Sequence, residues 1–114
     1  MNARRFHQKE QTLKALARDL HAECQLITIN SYLTQRELYG LTAAADVYIS
    51  LHRGEGFGLG VAEAMYLSKP AIVTDFSSTT EFCTPQTAMP IPYTLAPVPD
   101  KEEHLFLVVL TLTD

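Results

Sequence analysis

The chain has 114 residues, of which 46% are hydrophobic and 19% are charged, and its formal net charge is −4. This length and composition predict a single domain, or part of one, with a real hydrophobic core, and they exclude an intrinsically disordered chain. The acidic balance argues against nucleic-acid binding, and no apolar run approaches the roughly 18–20 residues of a membrane span.

The amino-terminal composition and the cysteines predict a cytoplasmic protein, either free or peripheral to the membrane. Residues 1–20 are polar and charged and contain no apolar segment typical of a signal peptide. Cys24 and Cys83 are too few for a disulfide scaffold and are not spaced as metal ligands, which favours a reducing compartment and no bound metal.

The first 45 residues predict two helices with a strand between them. Residues 8–22 carry aliphatic side chains at the spacing of one buried helical stripe. This stripe consists of Leu13, Leu16, Ala17 and Leu20. Residues 25–31 alternate apolar and polar side chains, as a strand does. Thr34 and Glu37 fit a capping box, so a second helix is predicted from there to about Ala45.

Two short apolar strands, residues 47–51 and 71–74, are predicted on either side of a glycine-rich loop and a third helix. The loop spans residues 52–60, and the helix covers residues 59–68 and ends before a proline. Residues 76–81 predict a polar loop. This alternation of helices and strands predicts an α/β layered domain with a parallel sheet.

The last quarter of the chain predicts extended structure. Residues 86–98 are rich in proline, which suits segments at the edge of a sheet. Residues 105–112 are apolar and rich in β-formers, but they follow an acidic run at residues 100–103 and match no element of the expected fold.

The glycine-rich loop is the candidate site, because ligands of parallel α/β sheets bind beyond the carboxyl ends of the strands. Glycines occupy its alternate positions, Gly54, Gly56, Gly58 and Gly60. They let backbone N–H groups approach a ligand, and the loop leads into a helix whose first N–H groups are unpaired. This combination predicts a site for a phosphate or carboxylate, although the spacing is neither that of a P-loop nor Gly-x-Gly-x-x-Gly.

Two carboxylates flank this helix start, with Glu55 at the entrance of the loop and Glu63 about one turn into the helix. A carboxylate accepts two hydrogen bonds from neighbouring hydroxyls, so the pair suits a ligand that joins a sugar, a diphosphate and a ribose. Alternatively, Glu63 complements the helix dipole in a first turn and Glu55 is a solvated charge. A third interpretation makes them the acid and nucleophile of a glycoside hydrolase, where the glycine-rich helix start would have no purpose.

Four runs of sequence surround these residues: AADVYIS, RGEGFG, AEAM and KPAIVT, which begin at residues 44, 53, 62 and 69. Together they resemble the donor-binding half of glycosyltransferase family 4, whose members are retaining enzymes of the GT-B fold. The resemblance covers about residues 25–95, and Glu55 and Glu63 match the family's Glu-x7-Glu motif. Residues 50–60 are similar to a bacterial polysaccharide-synthesis subgroup.

The resemblance implies an incomplete half of a GT-B fold, with a Rossmann-like nucleotide-sugar domain at residues 1–99 and a tail at residues 100–114. Glu63 is expected to bind the ribose of the donor, and Glu55, as the catalytic residue, to face the hydroxyls of its sugar. The other donor-binding residues that it implies are Arg53, Gly56, Phe57, Gly58, Leu59, Thr79 and Thr80. It implies no cofactor and no metal, since the nucleotide-diphosphate-sugar is the donor substrate.

By the same resemblance, the chain is expected to transfer a hexosyl or deoxyhexosyl group with retention, in polysaccharide biosynthesis. Its expected partners are a nucleotide-sugar and a glycan or lipid-linked acceptor, which an amino-terminal domain missing from this chain would bind. A fragment is therefore expected. The alternative is a non-catalytic module that binds a nucleotide-sugar or depends on a partner.

Several other side chains are expected to be structural. His52 is expected to hydrogen-bond near the loop rather than to transfer protons, and Phe57 to pack beneath the loop. Tyr48 and Tyr66 are expected to pack between helix and sheet. Cys83 has no His–Asp arrangement that would make it a nucleophile.

Overall fold

The computed structural model describes residues 3–19, 26–95 and 108–110. The chain divides into two compact units, of which the first ends at Tyr32 and the second begins at Leu33. The predicted domain boundary between residues 99 and 100 lies outside the described residues.

The first unit contains one helix, α1 (Ala3–Asp19), which begins before the predicted residue 8. Its predicted end at residue 22 lies outside the described residues. Leu13 and Leu16 are 36% and 53% exposed, so the predicted stripe is only partly covered.

The predicted strand at residues 25–31 is wrong for its described part, because residues 26–31 form no strand. Alternation of apolar and polar side chains makes a strand only where a neighbouring strand supplies hydrogen bonds. Here the segment is tied to α1 instead, since the Thr28 hydroxyl donates to Glu10 Oε1 at 3.2 Å. Lys14 Nζ contacts the same oxygen at 2.7 Å, and the two bonds lower the pKa of the Glu10 carboxyl.

The second unit opens with α2 (Gln35–Ala44), and its predicted capping box is confirmed. Thr34 Oγ1 accepts from the Glu37 N–H at 3.2 Å, while the Thr34 N–H donates to Glu37 Oε2 at 2.7 Å. These reciprocal bonds satisfy two backbone donors at the helix start, which is why the chain turns helical there.

The sheet confirms the predicted α/β fold with a parallel, Rossmann-like core. It consists of β1 (Val47–Ser50), β2 (Ala71–Thr74), β3 (Met89–Ile91) and β4 (Val108–Leu110). In the order β3-β2-β1-β4, the first three strands are parallel and β4 pairs antiparallel with β1. Pro90 lies in β3, the edge strand on that side of the described sheet, where a missing N–H does least harm.

The core lies where α3 (Leu59–Tyr66) packs on β1 and β2. Apart from one tyrosine, its buried members are small or β-branched and allow the helix to approach the sheet closely. They are Tyr48, Val61, Ala64, Ala71, Val73 and Cys83, with Met65, Phe82 and Ala88 packed against them. Within the described part of the chain, every helix is too short or too polar to span a bilayer.

Of the two tyrosines expected to pack between helix and sheet, one is buried and the other is exposed. Tyr48 is 6% exposed and belongs to the core, as predicted, whereas Tyr66 is 89% exposed, so its predicted packing is wrong. Tyr66 is the last residue of α3 and lies at the surface. Cys83 is buried with its Sγ 3.8 Å from Met65 Sδ, and burial raises the pKa of its thiol, which suits an inert structural cysteine.

Candidate functional site

Two neighbouring loops leave the carboxyl ends of β1 and β2. Residues 51–58 connect β1 to α3, and the chain after β2 forms a 3-10 helix, Ser77–Glu81. Because β1 and β2 are adjacent and parallel, both loops emerge at the same edge of the sheet. The polar segment predicted at residues 76–81 is thereby placed beside the glycine-rich loop.

Hydroxyls of the 3-10 helix hold the backbone of the glycine-rich loop. Ser77 Oγ donates to the Glu55 carbonyl at 3.3 Å, and Ser78 Oγ donates to the Gly56 carbonyl. In a trans peptide the C=O and the following N–H point in opposite directions. The N–H groups of Gly56 and Phe57 therefore point away from the 3-10 helix, on a segment that is itself exposed.

A buried histidine connects the end of β1 to the same 3-10 helix. His52 is 6% exposed, with Nδ1 at 3.2 Å from Ser50 Oγ and Nε2 at 3.2 Å from the Phe76 carbonyl. Thr79 Oγ1 lies 3.4 Å from the same Nε2. Since a carbonyl only accepts, Nε2 donates to the Phe76 carbonyl, while the Ser50 hydroxyl can pair with Nδ1 in either direction. Both ring nitrogens of the buried His52 thus have partners within the fold, as its predicted structural role requires.

Close packing explains two of the loop's glycines. Gly58 has φ +85, and an ideal Cβ there would lie 2.5 Å from Thr79 Cγ2. A Cβ on Gly60 would lie 2.5 Å from the Tyr48 hydroxyl. An ideal Cβ on Gly54 or on Gly56 would have nothing within 4 Å, so packing does not require a glycine at these two positions.

The amino terminus of α3 has no side-chain cap within the described structure, in contrast to the capping box of α2. Gly58 is its N-cap residue, and the first hydrogen bond of the helix runs from the Ala62 N–H to the Gly58 carbonyl at 3.0 Å. The N–H groups of Leu59, Gly60 and Val61 thus precede the first intrahelical donor. With the positive end of the helix dipole, they form a site suited to an anion.

The two carboxylates lie on either side of this terminus. Glu63 is half-buried and occupies the second turn of α3, so its interpretation as a first-turn dipole charge is wrong. Glu55 is also half-buried rather than fully solvated. Burial and the charges of both carboxylates raise the pKa of the Tyr48 hydroxyl.

Five of the predicted ligand contacts lie on the surface: Arg53, Gly56, Phe57, Leu59 and Thr80. No ion pair of the Arg53 guanidinium is found in the described part of the chain. The prediction that Phe57 packs beneath the loop is wrong, because its ring is 55% exposed and rests on Phe82 with the ring centres 5.5 Å apart. Leu59, on the first turn of α3, is 64% exposed.

The two threonines of the 3-10 helix differ in accessibility. Thr79 is 0% exposed, and its hydroxyl donates to the Phe76 carbonyl at 3.1 Å, so a ligand has no surface through which to reach it. Thr80 is exposed and donates to the Ser77 carbonyl at 2.8 Å, which leaves its oxygen able to accept from a ligand.

Comparison with known protein families places this geometry in context. The sequence model of the family described as Glycosyl transferases group 1 matches residues 7–88. The chain belongs to this family. The match covers both loops, both carboxylates and α3, and membership implies binding of a sugar donor and an acceptor. No curated protein and no solved structure matches the chain.

Sequence reasoning missed two groups of residues that shape this glycosyltransferase site. Ser77 and Ser78 hold the loop carbonyls, yet a serine pair carries no signal of its partner. Tyr39 in α2 donates to Glu63 Oε1 at 3.2 Å, across a stretch of chain that no local pattern spans. Within residues 3–19, 26–95 and 108–110, no three His, Cys, Asp or Glu side chains are grouped to hold a metal ion.

Proposed function

We propose that the chain is the donor-binding half of a family 4 glycosyltransferase of the GT-B fold, which takes a hexosyl or deoxyhexosyl group from a nucleotide-sugar with retention. The observation that carries the proposal is the placement of Glu55 and Glu63 on either side of an α3 terminus whose N-cap has no side-chain bond. A nucleotide-diphosphate-sugar has the matching order of groups, with a central anion and a hydroxyl-rich ring at each end.

The diphosphate would bind to backbone N–H groups at Gly58 and Leu59, with those of Gly56 and Phe57 beside them. Negative charge on the diphosphate grows as the sugar leaves, and fixed N–H groups that already point at that position stabilise it without reorganisation. The exposed Arg53 guanidinium supplies a further cation next to the loop.

The two carboxylates would hold the two ends of the donor. Glu63 accepts the vicinal hydroxyls of the ribose, and Glu55, as the catalytic residue, contacts hydroxyls of the transferred sugar. Thr80 adds an exposed hydroxyl beside the loop, whereas Thr79 contributes by holding the 3-10 helix in place. The donor enters as a substrate, and the proposal involves no resident metal or cofactor.

The acceptor in this proposal is a glycan or a lipid-linked glycan of polysaccharide synthesis, bound by a separate amino-terminal domain. The motif run at residues 50–60, which resembles that of polysaccharide-synthesis enzymes, supports this class of acceptor. A cytoplasmic location, predicted from the sequence, belongs to the same proposal.

Calorimetric titration of the whole chain with UDP, GDP and their sugars tests the donor site. Glu63→Ala is expected to weaken nucleoside diphosphate binding at least about tenfold, because two hydrogen bonds to a carboxylate are lost. Glu55→Ala is expected to weaken binding of the nucleotide-sugar but not binding of the free nucleoside diphosphate. Asp19→Asn, which removes one exposed charge from α1, is the matched control and leaves both affinities unchanged.

Three results bear on the proposal in different ways. Absence of heat and of NMR shifts with every nucleotide, or a Glu63→Ala variant that binds as the wild type does, contradicts the donor site. Binding without transfer, when acceptor and an acceptor-binding domain are supplied, supports the alternative of a non-catalytic module. Sugar transfer lost in Glu55→Ala supports the enzyme.

A further inference from the structure

Two side chains of α2 form a chain of hydrogen bonds that ends at the carboxylate of Glu63 in α3. Gln35 Nε2 donates to the Tyr39 hydroxyl oxygen at 2.7 Å, and the Tyr39 hydroxyl donates to Glu63 Oε1 at 3.2 Å. Gln35 and Tyr39 are four residues apart in α2, so they lie on one face of the helix and meet end to end.

The direction of these bonds follows from the chemistry of the groups. An ionised carboxylate only accepts hydrogen bonds, so the tyrosine O–H donates to Glu63, and its oxygen can accept a bond from another group. The amide N–H of Gln35 fills that acceptor position and leaves the tyrosine hydrogen directed at the carboxylate. Both hydrogen bonds therefore run in the same direction: Gln35 donates to Tyr39, and Tyr39 donates to Glu63.

The hydrogen bonds from Gln35 through Tyr39 to Glu63 begin at a fixed point, because the start of α2 is held by its capping box. Gln35 is the first residue of the helix and follows the capping box of Thr34 and Glu37 directly. The Leu38 N–H bonds to the Thr34 carbonyl at 2.9 Å, and the buried Thr42 lies one turn further along. Tyr39 is 38% exposed, so its hydroxyl acts where the site meets solvent.

We propose that Tyr39 is a positioning residue that holds the Glu63 carboxylate in the orientation needed to accept the vicinal hydroxyls of a ribose. This inference rests on the proposed function, in which Glu63 binds the ribose of the donor. A carboxylate has about four lone-pair positions, so one bond from Tyr39 leaves enough for a diol. Without it, the carboxylate samples several orientations, and ordering it when the ligand binds costs free energy.

The inference is tested with Tyr39→Phe, which removes only the hydroxyl, and Tyr66→Phe as the matched control on an exposed tyrosine of α3. Affinity is measured for UDP and GDP, which contain a ribose, and for inorganic pyrophosphate, which does not. Tyr39→Phe is expected to weaken whichever nucleotide the wild type binds by about threefold to tenfold, the effect of one hydrogen bond at a partly exposed site. Pyrophosphate affinity and the melting temperature stay unchanged, and Tyr66→Phe changes nothing.

A double-mutant cycle shows whether Tyr39 acts through Glu63. In a Glu63→Ala background, Tyr39→Phe is expected to cause no further loss of nucleotide affinity. Equal weakening of nucleotide and pyrophosphate would indicate a general loosening of the fold and overturn the inference. Unchanged or tighter nucleotide binding in Tyr39→Phe also overturns it, while the proposed function stands. A wild-type chain that binds neither nucleotide nor pyrophosphate removes both.

Discussion

Replacing Gly58 with alanine is expected to destabilise the second unit, and the structure separates the two causes. Gly58 has φ 85 and ψ 43, a left-handed conformation that side chains with a Cβ rarely adopt. The new methyl group would also lie 2.5 Å from Thr79 Cγ2, well inside van der Waals contact. Thr79 is fully buried and held by its hydrogen bond to Phe76, so it cannot move aside freely.

The magnitude follows from these two contributions. The left-handed conformation costs about 1–2 kcal/mol for alanine, and overlap in a packed core costs about 1–3 kcal/mol more. Reduced freedom of the unfolded chain offsets about 0.4–1 kcal/mol of that loss. We therefore expect Gly58→Ala to lower the free energy of unfolding by about 1–5 kcal/mol.

Urea unfolding followed by circular dichroism measures the loss, and a second background isolates the overlap. Thr79→Ser removes Cγ2 but keeps the hydroxyl, so Gly58→Ala measured in that background should cost only the conformational part less the offset from the unfolded chain, about 0–1.6 kcal/mol. Gly56→Ala is the matched control and should stay within about 0.5 kcal/mol, because its Cβ meets nothing within 4 Å. An equal loss in both backgrounds, or a neutral Gly58→Ala, would refute the reasoning.

Three further predictions concern the same unit. Gly60→Ala should destabilise the chain, because overlap with the Tyr48 hydroxyl costs about 1–3 kcal/mol and exceeds the gain in helix propensity of about 1 kcal/mol. In a Tyr48→Phe background, the same substitution should become neutral or stabilising. Urea unfolding that shows no difference between the two backgrounds contradicts this prediction. Thr34→Ala should lower the free energy of unfolding by about 1 kcal/mol through loss of the capping box, and an unchanged midpoint argues against a role of the cap in stability. Burial, together with Glu55 and Glu63, raises the pKa of Tyr48 above its ordinary value of 10.0, so the folded chain binds this proton more tightly than the unfolded chain. The stability that this provides is fully present below about pH 10, the ordinary pKa, and is lost as pH rises through the raised pKa of the folded chain. In Tyr48→Phe, the free energy of unfolding should therefore fall less steeply with pH in the alkaline range. Identical slopes in wild type and variant would count against this effect of Tyr48.

Local features of the second unit could be predicted because they depend on short-range chemistry. The capping box of Thr34 and Glu37 uses atoms three residues apart, and it formed as expected. The strands at residues 47–50 and 71–74 each contain a valine and an isoleucine, β-branched apolar residues that suit a buried parallel sheet. The strand predicted at residues 25–31 had the same local support, but residues 26–31 lack the neighbouring strand that its hydrogen bonds require.

The candidate site was predictable in its composition but not in its contacts. The spacing of Glu55 and Glu63 around the glycines is a property of the sequence, and so is the resemblance that it carries. The exposure of a side chain is not a property of the sequence alone, because it depends on which neighbours the fold brings to it. Phe57 is an example, since its ring is exposed although it was expected to be covered by the loop. Sequence reasoning likewise attributed all four loop glycines to ligand approach, whereas Gly58 and Gly60 are required by Thr79 and Tyr48.

By itself, the sequence determined the alternation of helices and strands, the position of the loop at the end of β1, and the family to which the chain belongs. Each depends on the order and spacing of neighbouring residues. Only the tertiary structure decided that Ser77 and Ser78 hold the loop and that Tyr39 bonds to Glu63. Parallel strands bring together the loops at their carboxyl ends from distant parts of the chain, so the serine contacts exist only once the sheet has formed. The Tyr39 bond joins side chains of two helices 24 residues apart, which only the folded chain brings together.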